Sequence, residues 1–281
     1  MEGSDQGNRL VIKTGTGTDP QPLRIAQITD THIYAAPDTC LLGLNTRHSL
    51  QQVVGLVRAS RQPDLVVASG DLSHDGSAEA YACVREQLGA LGVPVYCLPG
   101  NHDENTMLHD CMNNDGFHST GSLRAGGWQL LFLDSTRAGS EGGHLADGEL
   151  EKLDSALATH PELPALVWLH HQPVKVGSRW LDSMAVDNPQ ALFDIIDRHA
   201  QVRAIIWGHV HQCFEQQRNG VQLLATPSTG LQFLPGSEDF AIDMIPPGYR
   251  WLELNPDGTF STGIQRLDSI PGTIDPAARG Y

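Results

Sequence analysis

The chain predicts an α/β fold, on three observations. Short apolar runs alternate with stretches of helical spacing from residue 23 to residue 207. Beyond that the pattern changes to hairpins around Asn219-Gly220 and Asp257-Gly258. Five of the apolar runs are followed within three residues by Asp, His or Asn, and strand ends are where open α/β sheets place their sites. A doubly wound nucleotide-binding sheet is the default for such alternation. Its marks are missing, since no G-x-G-x-x-G follows a strand and no G-x-x-x-x-G-K-[ST] occurs. No G-x-S-x-G elbow of a serine hydrolase is present either.

Residues Leu23 to Ile28 crowd apolar side chains as a buried strand does, and the run leads into Asp30 and His32. Side chains two apart in an extended segment point the same way, so this carboxylate and imidazole are expected to project together. Thr46 to Arg61 carries Leu50, Val53, Val54 and Val57 at helical spacing and stops before Pro63. Leu65 to Ala68 reads as a strand ending in Ser69-Gly70-Asp71. A helix over Ser77 to Leu91 starts from a polar cap and stops at Gly92. Val93 to Leu98 is the third strand, ending in Pro99-Gly100-Asn101-His102-Asp103. A helix from about Glu104 gives way to an irregular region reaching Gly127. Trp128 to Leu133 is a strand, and Asp147 to Thr159 a helix with Asp147 as its cap. Ala165 to Leu169 ends in His170-His171, and Pro189 to His199 is a helix with Pro in its first turn. Arg203 to Trp207 ends in Gly208-His209-Val210-His211. Two hairpins follow, Cys213 to Gln217 with Val221 to Leu224, then Tyr249 to Leu254 with Phe260 to Gln265. We divide the chain into a lead-in over 1–20, a main domain over 21–267 and a tail over 268–281.

Composition excludes several classes. The chain has 281 residues, 40% of them hydrophobic, enough for a substantial core in one large domain. A formal net charge of −15 repels a nucleic-acid backbone or an anionic membrane, so neither is expected as a partner. No run of 18 apolar residues is present, and residues 1–20 lack the apolar core of a signal peptide. Five scattered cysteines without a C-x-x-C pair suit a reducing cytoplasm better than a disulfide framework.

Asp30, His32, Asp71, Asn101, His170, His209 and His211 are the candidate metal ligands. Each also has a plain explanation. Asp71 and Asn101 sit in Gly-containing turns, and His170-His171 reads equally as one satisfied histidine beside an exposed one. Turn chemistry does not explain why five βα junctions supply only Asp, His and Asn. Carboxylate, imidazole and amide-carbonyl donors suit Mn, Fe(III) or Zn and argue against a thiolate site. Seven donors exceed one tetrahedral zinc but fit two metals sharing a carboxylate, about 3.5–4 Å apart, the clamp used for in-line displacement at phosphorus.

Asp30-x-His32, Gly70-Asp71, Gly100-Asn101-His102-Asp103, His170 and Gly208-His209-x-His211 resemble, in order, the five motif blocks of the calcineurin-like metallophosphoesterases. The resemblance implies a four-layer α-β-β-α sandwich with two mixed sheets. It assigns Asp30, His32, Asp71 and His211 to one metal and Asp71, Asn101, His170 and His209 to the other. Leu41-Leu42-Gly43-Leu44-Asn45-Thr46, Ala225 to Thr229, Asp239-Phe240 to Arg250, and the closing Gly280-Tyr281 resemble the bacterial 3′,5′-cyclic AMP phosphodiesterases. This implies hydrolysis of a small-molecule cyclic nucleotide by a metal-bridging hydroxide, with Fe and Mn as the metals and Zn or Co as substitutes. Asp71 and His102 are the expected catalytic residues, His102 protonating the leaving O3′. Asn101, His102, His32 and Asn45 are expected substrate contacts. His74, Arg137, Lys175 and Arg179 are weaker candidates, and Asp103 either orients His102 or caps the next helix. The Pro-rich loops after the hairpins can wall a pocket. A broader phosphodiesterase or nucleotide phosphatase, a non-catalytic metal-binding regulator, and a homodimer stay open.

Overall fold

A computed structural model describes residues 21–60, 62–119, 121–275, 277, 278 and 280. The expected lead-in over 1–20, Arg61 at the expected end of the first helix, and Tyr281 lie outside the described residues. In chain order the elements are β1 (Leu23–Ile28), α1 (Thr46–Ala59), β2 (Leu65–Ser69), α2 (Ala78–Gly89), β3 (Val95–Leu98), α3 (Asn105–Cys111), β4 (Phe117–His118), β5 (Ser122–Ala125), β6 (Trp128–Phe132) and α4 (Asp147–Thr159). Then come β7 (Ala165–Trp168), α5 (Arg179–Asp182), α6 (Pro189–Ile196), β8 (Val202–Trp207), β9 (Phe214–Arg218), β10 (Val221–Ala225), β11 (Gln232–Phe233), β12 (Ile242–Asp243), β13 (Gly248–Leu254) and β14 (Phe260–Arg266).

Two six-stranded mixed sheets result, ordered β14-β13-β1-β2-β3-β4 and β5-β6-β7-β8-β10-β9. In the first, β1 to β4 run parallel while β13 and β14 join antiparallel. In the second, β6, β7, β8 and β10 run parallel between the antiparallel edges β5 and β9. Strand alternation explains how they stack. Leu23, Ile25, Leu65 and Val67 meet Leu130, Leu166, Trp168 and Ile206 in one cluster between the sheets. The alternate positions Ala26, Ile28, Val66 and Ala68 pack on Leu50, Val53 and Val57 of α1 and Tyr81 and Val84 of α2. On the other side Val167, Ile205 and Trp207 pack on Leu153 and Leu157 of α4 and Leu192 and Ile196 of α6. Three apolar layers between four structural ones make the α-β-β-α sandwich. Because the central strands are buried on both faces, they read as continuous apolar runs.

The differences from the sequence reading have local causes. Asp147 is the first helical residue of α4 rather than its cap. Ala146 takes the N-cap position without a side-chain bond, and Asp147 and Glu149 place negative charge in the first turn. The irregular stretch before Gly127 contains β4 and β5, too short to show a period. The two hairpins extend different sheets. The β9-β10 pair joins β8, and the β13-β14 pair joins β1. Past β14, Ile274 is buried against Leu41, Leu44 and Leu231, and the Asp275 N–H donates to the Leu42 carbonyl at 2.8 Å.

Candidate metal centre

The five strand ends converge. In one sheet β1, β2 and β3 lead to Asp30 and His32, Asp71, and Asn101 with His102. In the other, β7 and β8 lead to His170 and to His209 with His211. The site therefore straddles the seam between the sheets. Gln27 stitches that seam, its amide donating to Ser69 Oγ at 2.8 Å and to the Trp207 carbonyl at 3.4 Å.

Asp30 and His32 project together for a different reason from the strand pleat. β1 ends at Ile28, and Asp30 and His32 have φ of 53° and 45°, in the left-handed region. Asp71, His209 and His211 share it, at 50°, 62° and 47°. Such residues cost about 1–3 kcal/mol each and persist only where their surroundings over-determine them. Here the Asp30 N–H donates to the Gly70 carbonyl at 3.0 Å and the His32 N–H to the Asp71 carbonyl at 2.9 Å. The glycines in these motifs have a steric purpose. A Cβ on Gly100 would collide with Asp71 Oδ1, and one on Gly208 with Thr29 Oγ1 and Asp30 Oδ2.

Asp71 Oδ2 lies 3.2 Å from His170 Nε2 and 3.7 Å from His32 Nε2, so one carboxylate oxygen sits between imidazoles from the two sheets. Asp30 Oδ1 lies 3.4 Å from His211 Nε2 and 3.9 Å from His170 Nε2, and His32 Nε2 is 3.1 Å from His211 Nε2. The other ring nitrogens are anchored. Nδ1 of His170 is 2.9 Å from the Ser69 carbonyl, and Nδ1 of His211 is 2.9 Å from that of Leu231. An N–H donated to a carbonyl fixes the tautomer that turns a bare Nε2 lone pair inward.

Two metal ions fit this donor set. Asp30 and Asp71 are buried, yet among the described residues no lysine or arginine pairs with either. Asn101 Oδ1 and His209 Nε2 are buried with no hydrogen-bond partner, each normally a penalty of about 1–3 kcal/mol. Asp30, His32 and His211 place ligand atoms within 4.8 Å of one another, as do Asp30, Asp71 and His170, and as do His170, His171 and His209. Buried carboxylates without a cation and orphaned acceptors facing each other are what bound cations resolve.

Burial opposes the charge of Asp71, but His170 beside it, with His102 and His32, outweighs burial and holds the carboxyl well below its ordinary range. Burial likewise opposes a charged His170, but Asp71 and then Asp30 lift it to about 9. Burial drives His32 and His209 well below the usual histidine range. A metal ligand must be unprotonated, so metal uptake has to expel the His170 proton below about pH 9 while His32 and His209 are already neutral. Affinity is expected to rise with pH up to that point, about tenfold per pH unit for one proton. Calorimetric titration of metal-stripped protein with Mn²⁺ at pH 7.5, in buffers of different ionisation enthalpy, should register one proton released. None released would contradict the assignment.

Other candidates are placed differently. Asn45 is the N-cap of α1, its Oδ1 accepting from the His48 N–H at 2.8 Å and its amide donating to the Pro37 carbonyl at 2.9 Å. Asp103 does not cap α3. It accepts from the N–H groups of Leu72, Ser73 and Gly100 and from Tyr81 Oη, pinning the β2 and β3 loops together, while Glu104 caps α3. Arg137 and Arg179 form exposed pairs with Asp187 and Glu238. His74 is more involved than its weak ranking implied, its Nδ1 lying 3.2 Å from His32 Nδ1 and its ring stacking on His102 at 4.5 Å. His171, which the sequence offered only as a neighbour, is fully buried, 4.7 Å from the His209 ring and bonded to Ser135 Oγ.

A cavity of about 190 Å³ opens beside the ligands, lined on one side by Asn101, His102 and His209. A sandwich of two mixed sheets with buried N and O donors across its seam defines the class of metal-dependent phosphoesterases. The chain belongs to the calcineurin-like phosphoesterase family, whose sequence profile matches residues 23–213. It is 41% identical to the 3′,5′-cyclic adenosine monophosphate phosphodiesterase CpdA of Pseudomonas aeruginosa, over 92% of this chain and 94% of that one. It is 39% identical to a 3′,5′-cyclic-nucleotide phosphodiesterase of a Nostoc species, over 91% and 96%. Among solved structures, a dimetal phosphatase from Danio rerio superposes with a TM-score of 0.61 at 17% identity, covering 87% of this chain and 99% of that one, a likeness of fold.

Proposed function

We propose that this phosphoesterase hydrolyses 3′,5′-cyclic AMP to 5′-AMP and so lowers cellular cyclic AMP. The observation that carries the chemistry is the single Asp71 oxygen set between His170 and His32. The substrate class is supported by the two relatives, which align across nearly the whole of both chains and are themselves named for 3′,5′-cyclic nucleotides. Asp30, His32, Asp71 and His211 would hold one metal and Asp71, Asn101, His170 and His209 the other, with Fe and Mn suited to such oxygen and nitrogen donors. Bound there, the metals supply Lewis acidity toward the phosphate oxygens and a nucleophile at neutral pH.

The chain's own groups do the rest. The His102 backbone N–H donates to Asp71 Oδ1 at 2.9 Å, tying the loop after β3 to the shared carboxylate. The His102 ring borders the cavity, edge-on to His32 at 4.9 Å and stacked on His74. As the P–O3′ bond breaks, the His102 ring gives a proton to O3′, and the incoming oxygen stays on phosphorus to yield 5′-AMP. Asn101 and His32 border the phosphate beside it. We place the reaction in the cytoplasm, a compartment that suits the five free cysteines. Among the described residues no helix is long and apolar enough to cross a membrane.

The test is product analysis with purified, Mn²⁺-supplemented protein on 3′,5′-cyclic AMP, 2′,3′-cyclic AMP and bis-p-nitrophenyl phosphate. Release of 5′-AMP from the 3′,5′-cyclic substrate at the highest kcat/KM of the three is expected. Turnover of the other two esters alone would leave the phosphoesterase standing and remove the cyclic AMP assignment.

A further inference from the structure

The cavity beside the ligands is lined by two chemically different sets of residues. Besides Asn101, His102 and His209 its lining is largely aromatic and aliphatic, from Trp180, Leu181, Met184, Phe233 and Phe240. Among the described lining residues Glu141 supplies a carboxylate and none supplies a lysine or arginine. A phosphate in it therefore finds counter-charge only in the cations that the metal ligands would hold. At about 190 Å³ the cavity falls below the ~300–1,000 Å³ typical of sites for drug-sized ligands, a slot for part of a molecule.

The wall is built rather than left over. Trp180, Phe233 and Phe240 pack mutually edge-to-face, with centroids 4.9 Å, 5.2 Å and 5.5 Å apart. Phe233 lies flat on the His211 ring, 4.1 Å away with 8° between planes, so the wall is in register with the ligands. Two loops carry it and are bonded to each other. The Arg179 N–H donates to the Ser237 carbonyl at 3.0 Å, the Gly236 N–H to Ser178 Oγ at 3.0 Å, and Arg179 pairs with Glu238. Phe233 is fully buried, whereas Trp180, Met184 and Phe240 remain half-buried, and the Trp180 indole N–H has no partner.

We infer that this wall is the nucleobase subsite, where Trp180 and Phe240 hold the purine of a 3′,5′-cyclic nucleotide, one ring face-on and the other edge-on, while its phosphate faces the metal ligands. The inference rests on the cyclic nucleotide reading and deepens it. Bases bind aromatic side chains through their π faces, and a wall of half-buried rings offers such surfaces without needing a charged partner. Stacking of this kind holds the ground state and the transition state alike, so its loss shows in KM.

The experiment has two arms on wild type, Trp180→Ala and Phe240→Ala. The first compares kcat/KM for 3′,5′-cyclic AMP with that for ribose 3′,5′-cyclic phosphate, which has no base. The ratio should fall at least about tenfold in each variant, through KM. The second measures binding of adenosine, which has no phosphate, by calorimetry. Both variants should bind it at least about tenfold more weakly. Parallel losses on both esters with adenosine binding unchanged would make the wall mere packing and overturn the inference. So would the absence of adenosine binding to wild type at about 1 mM. Adenosine binding that weakens in both variants, in a protein that turns over neither cyclic ester, would sustain the subsite while removing the cyclic AMP assignment.

Discussion

Asp71→Asn is expected to lower turnover of 3′,5′-cyclic AMP by about 10³-fold or more and to leave the chain with fewer than two metals. The substitution keeps the side chain's size and an oxygen for the His102 N–H, which now bonds Oδ1 at 2.9 Å. It removes the negative charge between His170 and His32. An amide oxygen cannot balance two cations as a carboxylate does. Metals at such sites contribute several kcal/mol of charge stabilisation, and each 1.36 kcal/mol is tenfold in rate. Metal content by elemental analysis, read beside kcat, checks both halves. A variant that keeps two metals per chain and wild-type turnover would show that Asp71 is not shared.

His102→Ala is the second large effect, and its signature is selectivity for the leaving group. A general acid contributes about 10²–10⁴-fold, so turnover of 3′,5′-cyclic AMP should fall by that much. p-Nitrophenolate leaves without needing a proton, so bis-p-nitrophenyl phosphate should lose far less. Truncation keeps the backbone N–H on Asp71, which separates the ring's role from that of the loop. Equal losses on both esters would instead make His102 a positioning residue, acting through its contacts with His32 and His74.

The residues that converge at the seam were legible in the sequence, while the way they converge was not. Seven donors at five strand ends carry chemical identity, and identity survives in one dimension. The extended-strand argument for Asp30 and His32 pointed to the right pair by the wrong geometry. Left-handed φ at five donors is imposed by neighbouring strands, as in the bond from the Asp30 N–H to the Gly70 carbonyl. The central strands were legible as buried apolar runs and the two sheets only through the family resemblance, while β4, β11 and β12, two residues each, have no readable period. Which sheet each hairpin joins is a long-range pairing, such as that of Leu23 with Leu254. Asn45 and Asp103 show a further limit. Both sit beside motif residues, yet helix capping and loop pinning occupy their polar atoms. The aromatic wall is separated into residues 180, 233 and 240, which no local pattern groups.

The central claim is that these seven side chains form one two-metal centre that opens a 3′,5′-cyclic phosphate. Its most direct test is titration of chelator-stripped protein with Mn²⁺ while release of 5′-AMP from 3′,5′-cyclic AMP is followed. Turnover should appear only as metal binds and reach its plateau at two equivalents per chain. Full turnover in the stripped protein, or a plateau at one equivalent, would contradict the claim.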